Sequence, residues 1–316
     1  MNKQEVRALN DFQLSKILNI KYPIIIAPMF LVSNVAMIKA SIKSGGTGAI
    51  PALNFRNDQD LRDAIKEIKN TVGGPFGINL IVNKSNLRYK DQLKICCEEK
   101  VDFIITSLGS PEETINMAHA SGIKVFCDVT DITFAKKVEK LGADALIAVN
   151  KLAGGHAGKL SPQELLQSIK SSCKIPVISA GGVGNGKELK EIASYGADGF
   201  SIGSIFIAST ESSVSDDYKR ACIEYGAKDI VMTSKISGTP CTVIKTPYVA
   251  EIGTEQNLIE RILNKNRFLK KWFKALTFYK GMKSLEKAAF SASYKTVWCA
   301  GPSIEHVKEI KQIELI

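Results

Sequence analysis

Between residues 22 and 202 the chain repeats one alternation. A short, unbroken apolar run is followed by a longer segment with apolar residues every three or four positions. No other feature restricts the fold so strongly. The runs Tyr22 to Pro28, Thr47 to Leu53, Phe76 to Val82, Asp102 to Leu108, Lys124 to Val129, Asp144 to Val149, Ile175 to Ala180 and Asp198 to Ile202 read as strands. Continuous hydrophobicity marks strands covered on both faces, as in a parallel sheet. The segments between them are spaced as amphipathic helices, for example Ile132, Ala135 and Val138, or Leu165, Leu166 and Ile169. Pro111 and Pro162 fall in first helical turns, behind Ser110 and Ser161 as N-caps. Leu141-Gly142-Ala143-Asp144 and Tyr195-Gly196-Ala197-Asp198 use one helix-stop-to-strand junction twice. Eight strand–helix steps, with right-handed crossovers, predict an α/β fold: a (β/α)8 TIM barrel. A doubly wound sheet is the alternative, but no glycine-rich dinucleotide turn follows the first strand.

A helix is expected over residues 1–20, with Leu14, Ile17 and Leu18 on one face. After Ile207 the rhythm breaks into a helix (Asp216 to Tyr225), two strand-like pieces (Asp229 to Ile236 and Thr242 to Ile244) around a turn at Ser237-Gly238-Thr239-Pro240, and helices from Leu258 to Phe290. The expected organisation is a barrel core over 1–210 and a small, mainly helical C-terminal lobe and tail over 211–316.

The 316 residues are 45% hydrophobic and 23% charged, enough for one large core. No apolar run has the length of a membrane span, and the N-terminus lacks the apolar centre of a signal peptide. Seven cysteines without metal spacing read as reduced thiols in a cytosol, and no metal site is expected. The net charge of +10 suits an anionic ligand or simply solubility. Its excess gathers in a C-terminal segment where Lys270, Lys271, Lys274 and Lys280 interleave with Trp272, Phe273, Phe278 and Tyr279. That pattern reads as an amphipathic helix with an aromatic face; no nucleic-acid motif accompanies it, so neither nucleic acid nor membrane is an expected partner.

In such a barrel the chemistry lies at the C-terminal strand ends. Strand six runs into Ala153-Gly154-Gly155-His156-Ala157-Gly158, where small residues let a flat ligand approach the backbone beside one histidine. His156 is a candidate acid/base group; the alternative is a structural histidine. Strand seven ends in Ser179-Ala180-Gly181-Gly182 and strand eight in Ser201-Ile202-Gly203-Ser204. Loops after these two strands commonly bind phosphate, and glycines there allow backbone N–H groups to approach an anion; the alternative is that they only serve tight turns. Asn79, ending strand three, either hydrogen-bonds a heteroaromatic ring edge or caps a loop. Lys124, opening strand five, is either a ligand contact or a junction lysine that reaches for solvent.

These residues resemble the FMN-dependent nitronate monooxygenases, formerly called 2-nitropropane dioxygenases. The resemblance is carried by Ala27-Pro28-Met29 with Ser33, Phe76-Gly77-Ile78-Asn79, the Gly-Gly-His segment, Pro176-Val177-Ile178-Ser179-Ala180-Gly181-Gly182-Val183, and Ile202-Gly203-Ser204 running to Glu211-Ser212. It spans roughly residues 20 to 250, and flavin-dependent enoyl-acyl carrier protein reductases share its two main motifs. It implies bound FMN, with cofactor contacts among Ala27, Pro28, Met29, Asn79, Lys124, Ala153, Gly154, Gly181, Gly182, Ser201, Ile202, Gly203 and Ser204. It implies that His156 takes a carbon-bound proton from a nitroalkane, with a nitronate or nitroalkane and oxygen as reactants. A homodimer is compatible with it. The alternatives are an enoyl-acyl carrier protein reductase and a flavin-binding partner subunit without its own turnover. Three positions depart from the family pattern: Leu152 stands where an acid is usual, Ser204-Ile205 where Thr-Arg is frequent, and Thr239 where relatives often place Arg after Ser-Gly. The phosphate contacts are expected to survive these changes.

Overall fold

Eight parallel strands close into a barrel, β1 (Ile24–Ile26), β2 (Thr47–Pro51), β3 (Gly77–Ile81), β4 (Phe103–Ser107), β5 (Lys124–Val129), β6 (Ala145–Val149), β8 (Val177–Ala180) and β9 (Gly199–Ile202), with β9 pairing back onto β1. The structure is a computed structural model that describes residues 11–84, 86–235, 240–255 and 297–316. Helices α2 (Val35–Lys43), α3 (Asp58–Thr71), α4 (Tyr89–Glu98), α5 (Glu112–Ala120), α6 (Ile132–Lys140), α7 (Pro162–Lys170) and α8 (Gly186–Ser194) fill the connections as the periodicity predicts. Ser161 caps α7, and Glu164 completes a capping box. Ser110 does not cap α5; Pro111 takes that position and offers no side-chain bond. Among the described residues no helix is long and apolar enough to cross a membrane.

Strand parity divides the core in two. One set of side chains faces the helices, for example Ile78, Leu80, Ile104 and Val125. The alternate set fills the barrel, with Ile25, Ala49, Phe103, Ile105, Phe126, Ile147 and Ile178 in one cluster. Phe103 and Phe126 stack with centroids 5.0 Å apart and plug the interior. Gly77 faces the same space: a Cβ there would lie 2.2 Å from the Phe103 ring. The described part of the N-terminal helix, α1 (Gln13–Leu18), closes the lower end. Its Leu14 N–H donates to Asp198 O at 2.9 Å, and its side chain occupies the room left by Gly199.

The upper end carries an element the periodicity did not foresee. After β6, Gly155–His156 form a two-residue strand, β7, in a three-stranded antiparallel sheet with β10 (Ile230–Thr233) and β11 (Cys241–Ile244) in the order β10-β11-β7. Helices α9 (Asp216–Glu224) and α10 (Pro247–Ile252) flank it. The last segment returns to this sheet, where Ile244 N–H donates to Trp298 O at 2.9 Å, the Tyr218 ring of α9 stacks on Trp298, and Tyr218 Oη donates to Cys299 O. The basic aromatic segment around Trp272, the first ten residues and the turn at Ser237 to Thr239 lie outside the described residues.

Candidate active site

A cavity of about 550 Å³ opens at the C-terminal ends of the barrel strands. Ala27, Pro28, Met29, Asn79, Ala153, Gly154, His156, Gly181, Gly182, Ser201, Ile202, Gly203 and Ser204 all line it, as the sequence places them. Parity explains much of this list. Ala27, Pro51, Asn79, Ser107, Asp128 and Val149 continue the inward-facing rows above the aromatic plug.

The glycine pair leaves bare backbone at the strand end, where a Cβ would not fit. Gly181 and Gly182 both have positive φ, +105° and +84°, which side chains with a Cβ rarely adopt. A Cβ on Gly181 would stand 2.4 Å from the Ala153 nitrogen and 2.7 Å from Asn150 Oδ1; one on Gly203 would meet Met29 Sδ at 3.1 Å. The N–H groups of Gly182 and Ser204 take no backbone partner among the described residues. Ser204 Oγ instead accepts from Gly301 N–H at 2.8 Å, so the C-terminal segment closes over the strand-end glycines.

Buried Asn150, which sequence reading passed over, builds the loop after β6. Its Nδ2 donates to Gly181 O at 2.9 Å, and its Oδ1 accepts from Leu152 N–H at 2.8 Å. One side chain thereby ties the His156 loop to the glycine pair. From the other side, Thr242 Oγ1 of β11 donates to Ala153 O at 2.6 Å. Ser33 links the first strand end to its loop, accepting from Met29 N–H and donating to Ala27 O. A single asparagine at a strand end could have signalled the first of these ties; nothing local signals the contact from Thr242.

His156 sits on β7 directly across from Cys241 of β11. Its accessible surface opens into the cavity, while the protein around it disfavours the imidazolium, and that burial moves its pKa below the ordinary imidazole value. A neutral ring at pH 7 is the form that accepts a proton.

Lys124 is the exception. It does not line the cavity. It opens β5, four residues before Asp128, so it lies about 13 Å down the strand from the mouth at roughly 3.3 Å per residue. Phe126, of the same parity, stands between it and the cavity in the aromatic plug. The strand bounds are as read, but the residue at the active end is Asp128. Replacing Lys124 with Met is therefore expected to leave cofactor affinity unchanged within about twofold by equilibrium titration; a tenfold loss would contradict this geometry.

The family model for nitronate monooxygenase matches residues 12–90 and 85–314. The chain belongs to the nitronate monooxygenase family. It is thus a member of an oxidoreductase family. A nitronate monooxygenase of Paraburkholderia phytofirmans is 27% identical over 271 residues, covering 71% of this chain and 74% of that protein. A (3aS,4S,5R,7aS)-5-hydroxy-7a-methyl-1-oxo-octahydro-1H-indene-4-carboxyl-CoA dehydrogenase of Rhodococcus jostii is 29% identical over 258 residues, covering 81% of this chain and 72% of the relative. The solved structure of FabK from Thermotoga maritima superposes with a TM-score of 0.83 at 28% identity, over 96% of this chain and 93% of that one. Family membership and the shared barrel agree with the eight-step reading of the sequence.

Proposed function

We propose that the protein is an FMN-dependent oxidoreductase that oxidises nitronates, and neutral nitroalkanes, with molecular oxygen. The carrying observation is the pairing, in one cavity, of the glycine cradle at the ends of β8 and β9 with the His156 side chain on β7. Gly181, Gly182, Gly203 and Ser204 would hold the phosphate through backbone N–H groups that no Cβ obstructs. Pro28, Met29 and Gly154 would wall the ring, and Asn79 would meet its polar edge. Bound FMN supplies the electron acceptor for carbon and the route of those electrons to oxygen. His156 takes the acidic proton from the carbon bearing the nitro group; a pre-formed nitronate needs no such step.

A second reading is reduction of an enoyl thioester by the same flavin and a nicotinamide. The likeness to FabK and to a dehydrogenase of a CoA thioester favours it. Against it, no lysine or arginine among the described residues lines the cavity, and coenzyme A and nicotinamide dinucleotides bear more than one phosphate. Anaerobic titration separates the readings. A nitronate is expected to bleach the flavin absorbance while NADH leaves it intact. Rapid bleaching by NADH would transfer the assignment to the reductase, and inertness to both would leave a flavin-binding subunit.

A further inference from the structure

Three polar side chains stand in a row on adjacent strand ends, Asn79 on β3, Ser107 on β4 and Asp128 on β5. Asn79 Nδ2 donates to Ser107 Oγ at 2.8 Å and to Ile105 O at 3.1 Å. Ser107 Oγ donates onward to Asp128 Oδ2 at 2.5 Å. The donors thus run one way and end at Asp128. With Oδ2 engaged as an acceptor, a proton on this carboxyl group belongs on Oδ1. That oxygen has no hydrogen-bond partner among the described residues, and the residue lines the cavity.

Around the barrel the strands run β1-β2-β3-β4-β5-β6-β8-β9, so β3 lies four places from β8, β4 four places from β9, and β5, which carries Asp128, two places from β8. A cofactor whose phosphate the glycine cradle would hold would share one cavity with this polar row. A flavin ring that gains two electrons gains negative charge at its polar edge, and an ionised carboxylate there would oppose it.

We propose that Asp128 is a redox-linked proton acceptor: it takes one proton from solvent each time the bound ring is reduced and releases it on reoxidation. The inference rests on the FMN reading of this cavity. The balance closes. Oxidation of a nitronate to a carbonyl compound and nitrite consumes one water and releases two electrons and two protons. With FMN bound, one proton would stay with the cofactor and one would go to the Asp128 carboxylate, and on reoxidation oxygen would take both electrons and both protons to give hydrogen peroxide.

The environment suits this role. Burial pushes the Asp128 carboxyl up to about 6, and the Ser107 hydroxyl opposes that rise. Its neighbours carry little charge. Cys127 on the same strand is pushed up to about 12 and stays neutral; Val149 of β6 and Phe134 of α6 are apolar; His156 on β7 is held neutral. Cys241, Cys299 and Tyr218 line the cavity elsewhere, and Lys124 and Asp144 lie at the lower strand ends.

The test is the reduction potential of the FMN holoprotein against pH, from about 5 to 8, for wild type, Asp128→Asn and Ser107→Ala. Above a pH near 6 the wild-type line is expected to fall more steeply than that of Asp128→Asn. The extra proton is a tenfold change in the reduction equilibrium per pH unit, about 30 mV for a two-electron couple. Ser107→Ala is expected to move the onset of the steep segment to higher pH, because a hydrogen bond that favours the carboxylate is gone. If Asp128→Asn does not fold, that displacement alone decides. Parallel lines for wild type and Asp128→Asn, or an onset unmoved by Ser107→Ala, would overturn the role of Asp128 and leave FMN binding standing. A wild-type protein that takes up no FMN would remove the cofactor reading and this inference together.

Discussion

Replacing His156 with asparagine is expected to lower turnover of a neutral nitroalkane by about 10²-fold or more, the usual loss for a positioned base. Turnover of the corresponding nitronate should fall far less, because no proton remains to be taken from carbon. FMN should stay bound, since the glycine cradle lies on β8 and β9 and Asn150, not His156, fixes the loop to Gly181. The pairing of the two-residue strand to β11 runs through the backbone, so it does not depend on the imidazole. The wild-type rate on the neutral substrate should rise with pH and level off, with its midpoint below the ordinary imidazole value, because burial depresses His156 and the neutral ring is the active form. The rise should vanish in the variant. Equal losses on the two substrates would mean that His156 orients or binds rather than accepts the proton, and would strengthen the thioester-reductase reading.

The second large effect is expected at Gly181. Alanine there must adopt φ near +105° and place a Cβ 2.4 Å from the Ala153 nitrogen and 2.7 Å from Asn150 Oδ1. Strain of this kind costs about 1–3 kcal/mol. Relief must come from backbone, so the loop carrying Ala153, Gly154 and His156 is displaced from the cradle. FMN affinity should fall about 10-fold or more, since 1.4 kcal/mol is a factor of ten. Gly182→Ala is the internal comparison. Its nearest obstacle is Leu152 Cδ1 at 2.8 Å, the end of a side chain that can swing aside, so its loss should be smaller. Flavin fluorescence titration of both variants, with circular dichroism to confirm folding, measures the difference. Undiminished affinity in Gly181→Ala would show that this turn does not shape the phosphate site.

Much of the site could be read in one dimension because its parts are local. Gly181, Gly182, Gly203 and Ser204 are short motifs at strand ends, and strand ends follow from hydrophobic period. The case of β5 shows the limit. Its span, Lys124–Val129, is the one the apolar pattern marks. Family likeness drew Lys124 into the site, while the rule that chemistry sits at C-terminal strand ends already pointed to the other terminus, where Asp128 stands. Lys124 and Asp128 differ in height along one strand, which a motif does not encode and a plug of Phe103 and Phe126 makes decisive.

The amino-acid sequence by itself determined the eight parallel strands, the helices that cover them, the glycine turns and the chain position of His156. Each is set by periodicity or backbone sterics within about twenty residues. Tertiary structure alone decided what surrounds them. His156 gains a defined strand only by pairing with Cys241, and Ala153 is held by Thr242, 89 residues away. Gly301 closes on Ser204 across 97 residues, and the row from Asn79 through Ser107 to Asp128 exists because three strands lie side by side. Hydrogen bonds between residues so distant in the chain leave no period in the sequence. They depend on which segments the closed barrel brings together, and that geometry is fixed only when the whole sheet has formed.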